Sequence, residues 1–191
     1  MSLAKLYSRA IRGMQAPEVI VEVHVAGGLP CFSIVGLPDT EVKESRDRVR
    51  SAIAMSGFNF PARRITVNLA PADLPKESGR YDLPIALGVL IASGLIKPVL
   101  DYAGFEFAGE LALDGTLRRI GGALAMAYNA KASNRGFILP VENALEASYV
   151  ENLDVYKAGS LNEVIAHLCG EKSLSREIHD KIADNWLAGI N

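Results

Sequence analysis

Residues 83–96 are the most apolar stretch of the chain and hold no charged side chain before Lys97. A bilayer span needs about 20 such residues, and Gly88 and Gly94 interrupt this run. A segment that is apolar on every side but too short to span reads as a buried helix. Asp82 is placed to cap it, and Pro84 sits in its first turn, where a missing N–H costs nothing. The chain must therefore build a core around this helix. Its 191 residues, 49% of them apolar, are enough for one such core. A chain of this size buries roughly 70% of the surface it exposes when unfolded.

The segments before it switch period. Residues 5–12 read as a strand. In the next strand Val19, Val21, Val23 and Val25 lie on one face, with Glu18, Glu22 and His24 on the other. After the turn at Gly27-Gly28-Leu29-Pro30, residues 31–35 make a third strand, and the three runs suit an antiparallel meander with one wet face. Asp39 or Thr40 then caps a helix whose buried stripe is Val42, Val49 and Ile53 and which ends at Gly57. Residues 63–69 alternate as another strand. Further on, a strand over 105–113 and a hairpin at Asp114-Gly115 precede a helix from Gly121-Gly122 to Asn134. Strands at 136–139 and 153–156 alternate with helices near Ala144 and over 161–168, which implies parallel pairing. The expected domain covers residues 1–170. Residues 171–191 read as a separate amphipathic helical tail or linker, with Leu174, Ile178, Ile182 and Trp186 in one row that must rest on something: the domain's own surface beside residues 161–168, or, as the hinge-like run at 170–173 favours, a neighbouring subunit or a following module.

Charge and cysteine content exclude several functions. A formal net charge of −2 rules out a generally basic nucleic-acid coat, so any DNA contact needs a local patch. Cys31 and Cys169 form neither a metal spacing nor a disulfide framework, which suits a reducing compartment. The N-terminus has no apolar signal region. A cytoplasmic location and no membrane partner are expected. The sequence contains no Gly-x-x-x-x-Gly-Lys-Ser/Thr phosphate loop, no His-Glu-x-x-His and no Cys-x-x-Cys. No catalytic residue and no metal ligand is assigned.

The densest candidate is the loop over 70–80, which would present Asp73, Lys76, Glu77 and Arg80 at a fixed edge of the core, with Asp82 as the cap that follows. A Ser78–Lys76 nucleophile pair lacks anything to desolvate the lysine. The second candidate is cationic. Arg46, Arg48 and Arg50 lie on the first helix, and Arg63, Arg64, Lys76 and Arg80 add to them. Two readings stay open: a solvated face with intrahelical pairs to Glu44 and Asp47, or a track for phosphates. Arg63, Arg64, Lys76 and Arg80 are the candidate nucleic-acid contacts, with Asp73, Glu77 and Asp82 as the loop's scaffold.

Several ordered blocks carry a resemblance. They are Val35-Gly-Leu-Pro-Asp39, residues 42–53 (Val-Lys-Glu-Ser-Arg-Asp-Arg-Val-Arg-Ser-Ala-Ile), residues 65–77, Arg80-Tyr-Asp-Leu-Pro-Ile-Ala86 and Gly109-Glu-Leu-Ala-Leu-Asp-Gly115. Together they resemble the N-terminal domain of the magnesium-chelatase-like competence proteins, the YifB/ComM family, over about residues 3–170. The resemblance implies an α/β fold of the ribosomal protein S5 domain 2 type, shared with the proteolytic domain of Lon, with a mixed sheet and helices mainly on one face. It implies an AAA+ ATPase module in cis after this domain, hexameric assembly, and a helicase driving branch migration during natural transformation. ATP and magnesium are expected only of that module, with no cofactor in this chain. Gly109-Glu110 and Gly121-Gly122 match a block of Lon-type proteases. The Lon serine position falls near Asp82, however, and its lysine position falls at Leu124, so the resemblance supplies the fold and argues against peptidase chemistry. The implied role is a non-catalytic accessory domain that engages DNA or organises the oligomer. A divergent Lon-like hydrolase and a pure protein–protein module are the alternatives.

Overall fold

A computed structural model describes residues 2–179. The row of alternating valines becomes β2 (Glu18–Ala26), paired antiparallel with β1 (Leu3–Arg9). Val19, Val21, Val23 and Val25 are all buried on one face, as a half-covered strand requires. The third run, β3 (Cys31–Val35), does not complete a meander. It lies parallel to β4 (Arg64–Ala70), which itself pairs antiparallel with β2. The helical segment between β3 and β4 supplies the crossover that parallel strands need. β3 is thereby an edge strand.

That crossover is two helices. The Asp39 side chain accepts a hydrogen bond from the Val42 N–H at 2.8 Å and caps α1 (Thr40–Lys43). The chain re-enters at Glu44 into α2 (Ser45–Met55). The apolar segment forms α3 (Asp82–Ala92), which lies between β1 and β2 on one side and α2 on the other. Being enclosed on both sides explains why it has no polar face. Gly88 allows the close approach: a Cβ there would sit 2.4 Å from Val23 Cγ2.

The expected strand over 105–113 breaks in two. β5 (Phe105–Phe107) joins the main sheet, while β6 (Glu110–Leu111) turns away to pair with β7 (Leu117–Arg118) through the hairpin at Asp114-Gly115. After it come α4 (Ala123–Ala132), β8 (Gly136–Pro140), α5 (Val141–Ser148), β9 (Val155–Ala158) and α6 (Leu161–Leu168). β1, β5, β8 and β9 are mutually parallel, as the alternation of strands and helices predicts. Among the described residues the main sheet has eight strands in the order β10-β9-β8-β5-β1-β2-β4-β3. The architecture is α/β with a mixed sheet.

Helices α2, α3 and α6 share one face of the sheet. Helices α4 and α5 cover the opposite face only where β8 and β9 lie. Residues 171–179 are not helical, unlike the expected tail helix. Residues Ser175–Arg176 form β10, antiparallel to β9 at the sheet edge. Leu174 packs against the core and Ile178 is exposed. Ile182 and Trp186 lie outside the described residues. Among the described residues no helix is long and apolar enough to cross a membrane.

Candidate functional site

The loop after β4 is folded inward more than its composition suggests. Lys76 is fully buried. Its ammonium donates to the carbonyl of Gly36 at 2.6 Å and to that of Pro71. Its backbone N–H donates to Leu37, and its carbonyl accepts from the Asp39 N–H. Burial pulls its pKa down, with Asp73 pulling the other way. Lys76 thus fastens this loop to the turn before α1, and it is no surface phosphate contact.

Arg80 is also turned inward. It donates to the Gly121 carbonyl at 3.0 Å and to Ser78 Oγ at 2.9 Å, and it lies against the Met126 sulfur. Burial lowers its pKa. Ser78 accepts from Arg80 and holds a left-handed backbone angle of 70°. Of the expected track, then, Lys76 and Arg80 belong to the interior. Long basic side chains can cross buried ground when backbone carbonyls receive them. Asp73 and Glu77 stay on the outside of the loop.

Asp82 is not a helix cap. Its carboxylate is fully buried and accepts from Arg48 Nε at 2.6 Å, from a second Arg48 nitrogen at 3.1 Å, from the Leu111 N–H at 3.0 Å and from the Ser45 hydroxyl. It ties α2, α3 and β6 together. Burial pushes this carboxyl above the usual carboxylate range, while its donors pull it back. Ser45, Arg48 and Asp82 form a closed lock. Nothing in it resembles a serine activated by a base. Leu124, at the position of the Lon lysine, lies at the start of α4 and is half-exposed.

The exposed cations gather elsewhere, at the β3 edge. Arg63 and Arg64 are both on the surface where β4 begins, with Arg64 directly across from Cys31 on β3. Arg50, exposed on α2, lays its guanidinium 4.6 Å from the centre of the Phe60 ring. Phe60 packs on Phe32 with ring centres 5.3 Å apart. Arg46 reaches the carbonyl of Phe32. Cys31, Arg50, Phe60 and Arg63 line a notch of about 220 Å³. Sequence reading groups Arg63 and Arg64 with the helix arginines but also with Lys76 and Arg80, which turn inward, and it does not single out Phe60, which lines the same notch as Arg50 and Arg63. The only sequence signal for the aromatic member is its place in Phe58-Asn-Phe60-Pro-Ala-Arg63-Arg64, where aromatic and cationic residues interleave.

Among the described residues no group of three or more His, Cys, Asp and Glu side chains is placed to hold a metal. What stands is an α/β domain with a closed polar lock at the helix junction and an arginine-rich sheet edge. Residues 21–143 match the family of subunit ChlI of Mg-chelatase, and the chain belongs to that family. Within it the chain is a domain of the YifB and ComM kind. It is 51% identical over 174 residues to the competence protein ComM of Haemophilus influenzae, covering 91% of this chain and 34% of that protein. It is 48% identical over 183 residues to YifB of Salmonella typhimurium, covering 96% of this chain and 36% of that protein. A protein of Mycobacterium tuberculosis, Rv2897c, is 37% identical over 179 residues, covering 93% of this chain and 35% of its own length. The chain thus spans about a third of the length of these curated relatives.

Proposed function

We propose that this chain is a non-catalytic accessory domain of a ComM-type AAA+ ATPase, and that it holds DNA by its phosphates at the β3 edge. The observation that carries this reading is its kinship to a competence protein about three times its length. In that arrangement the ATPase module in cis supplies ATP hydrolysis with magnesium, and oligomerises as a ring in branch migration during DNA uptake. A cytoplasmic location follows from that work. This domain contributes contact and positioning. Arg46, Arg50, Arg63 and Arg64 offer guanidinium groups suited to bidentate phosphate contact. Phe60, packed on Phe32, holds the Arg50 guanidinium at this edge. Phosphate contact needs no base-specific chemistry, so binding is weakly dependent on sequence.

The test is anisotropy of labelled single-strand and junction DNA across a salt series, using this 191-residue chain. Arg50→Glu, Arg63→Glu and Arg64→Glu should each weaken binding, and each lost contact should lower the salt slope by about 0.7–0.9. A parent chain that binds no DNA at low salt, or three variants that bind as the parent does, makes a protein–protein module the better account. Peptide hydrolysis lost on Ser78→Ala would favour the Lon-like hydrolase instead.

A further inference from the structure

Helices α4 and α5 leave an apolar groove uncovered on their outer side. Leu124 and Tyr128 of α4, Tyr149 and Val150 at the end of α5, and Met14 from the β1–β2 turn line it. Tyr128 is 68% exposed and Met14 94% exposed. The volume is about 810 Å³, enough for an indole together with a smaller apolar side chain. Single exposed apolar residues need no explanation, but a contiguous set that includes two tyrosines marks a surface built to be covered.

The described path of the chain leads toward it. β10 pairs with β9 through Ser175 and Arg176, Arg176 bonds Asp154, and Lys157 bonds Glu177 at 2.7 Å. These contacts bring residues 176–179 into a notch whose wall includes Val150 and Glu151, and both of these also line the groove. The His179 ring lies 4.4 Å, centre to centre, from that of Tyr149. The chain therefore arrives at the rim of the groove, and the next residues in sequence include Ile182, Trp186, Leu187 and Ile190. Residue 186 is seven positions past 179, a reach of ~10 Å in a helix and up to ~23 Å fully extended. The rim carries Lys131, and the segment carries Asp180 and Asp184, opposite in charge to it.

We propose that this groove is the seat of residues 180–191 of the same chain, with Trp186 as the main anchor. The inference is independent of the DNA reading, because the groove and the arginine-rich edge share no residue. Seating the segment would fix the direction in which the polypeptide leaves the domain.

Trp186 is the one tryptophan in the sequence, so its fluorescence reports on this site alone. In the 191-residue chain its emission should lie to the blue of free N-acetyltryptophanamide. Iodide quenching should be several-fold weaker than for that amide, at every protein concentration. Leu124→Arg and Tyr128→Ala alter exposed side chains outside the core. Each should shift the emission to the red and raise quenching toward the free value, with far-UV circular dichroism and melting temperature unchanged. A parent Trp186 quenched as readily as the free amide would overturn the proposal. So would protection that survives both substitutions. Protection that grows with protein concentration would also overturn it and assign the groove to a second copy.

Discussion

The two halves of the sheet follow the same pleat but meet water differently. In the β1–β4 half helices cover one face, so β2 alternates buried valines with Glu18, Glu22 and His24 on the open side. In the β8–β9 half both faces are covered, and Phe137, Ile138 and Leu139 are consecutive and all buried. Phe137 and Leu139 meet α4 and α5, while Ile138 meets the other core. The difference shows that alternation reports cover as much as strand. One-sided cover writes period two into a sequence, and two-sided cover erases it.

The border between the halves holds a buried ion network. On the α4 side, Arg9 of β1 pairs with Glu106 of β5 by two bonds of 2.7 and 2.8 Å. Arg9 also donates to Ser133 Oγ at 2.8 Å and to the Asn129 carbonyl at 3.2 Å, near the end of α4. A helix C-terminus leaves carbonyls unpaired and favours a cation, which accounts for an arginine at the place where cover stops. Arg135 stacks on Tyr7 at 3.6 Å and bonds both Glu18 and Glu106, so the network reaches onto the open face.

Breaking that border should have the largest effect. Glu106→Ala leaves Arg9 buried without its carboxylate and should cost about 3–5 kcal/mol in chemical denaturation. A loss under about 1 kcal/mol, typical of an exposed pair, would mean that the border is wet and the halves are less distinct. The lock on the single-covered side comes next. Asp82→Ala should cost about 3 kcal/mol, since it strands the Leu111 N–H and takes from Arg48 its buried carboxylate, leaving it the Glu41 carbonyl at 2.8 Å and Glu44 at 3.7 Å. A cost near 1 kcal/mol would reduce Asp82 to an ordinary cap.

The contrast in cover is tested directly by a pair of truncations. Leu139→Ala, buried in the double-covered half, should cost about 2–5 kcal/mol. Ile20→Ala, on the open face of β2, should cost under about 1 kcal/mol. Equal costs would mean that something covers the open face in solution.

The smallest effect is a pH dependence at the β10 edge. His167 of α6 is buried beside Phe105 and Tyr156, and its Nδ1 accepts the Leu174 N–H at 3.0 Å. Burial holds its pKa below the ordinary value. The unfolded chain therefore takes up the proton first as pH falls. Stability should be full above about pH 6.5 and decline below it until the folded histidine also protonates. His167→Gln should flatten that part of the melting-temperature profile. An unchanged slope would place the titration elsewhere.

Much of the fold was legible one segment at a time. The valine row, the Asp39 cap, the Asp114-Gly115 hairpin and the parallel pairing after Phe105 all follow from local pattern. The errors share a cause. The pairing of β3 with β4, the split of residues 105–113 between two sheets and the extended course of residues 174–176 depend on partners far away in the sequence. So does the role of the charged loop. Lys76, Arg80 and Asp82 look like surface charges because charged loop residues usually are. Apart from the Pro71 carbonyl within the loop, their burial rests on the carbonyls of Gly36 and Gly121 and on the side chains of Ser45 and Arg48, none of them readable from the loop itself.

By itself the sequence determined where most helices and strands fall, which face of β2 is apolar, and that the helix over residues 83–92 lies in the core. Those are properties of neighbours along the chain, set by backbone period and side-chain hydrophobicity. Only the tertiary structure decided which charges stay in water. An ion enters the interior when several distant groups converge to replace its hydration. That convergence locks Asp82, Lys76 and Arg80 inside and leaves Arg46, Arg50, Arg63 and Arg64 together at the sheet edge.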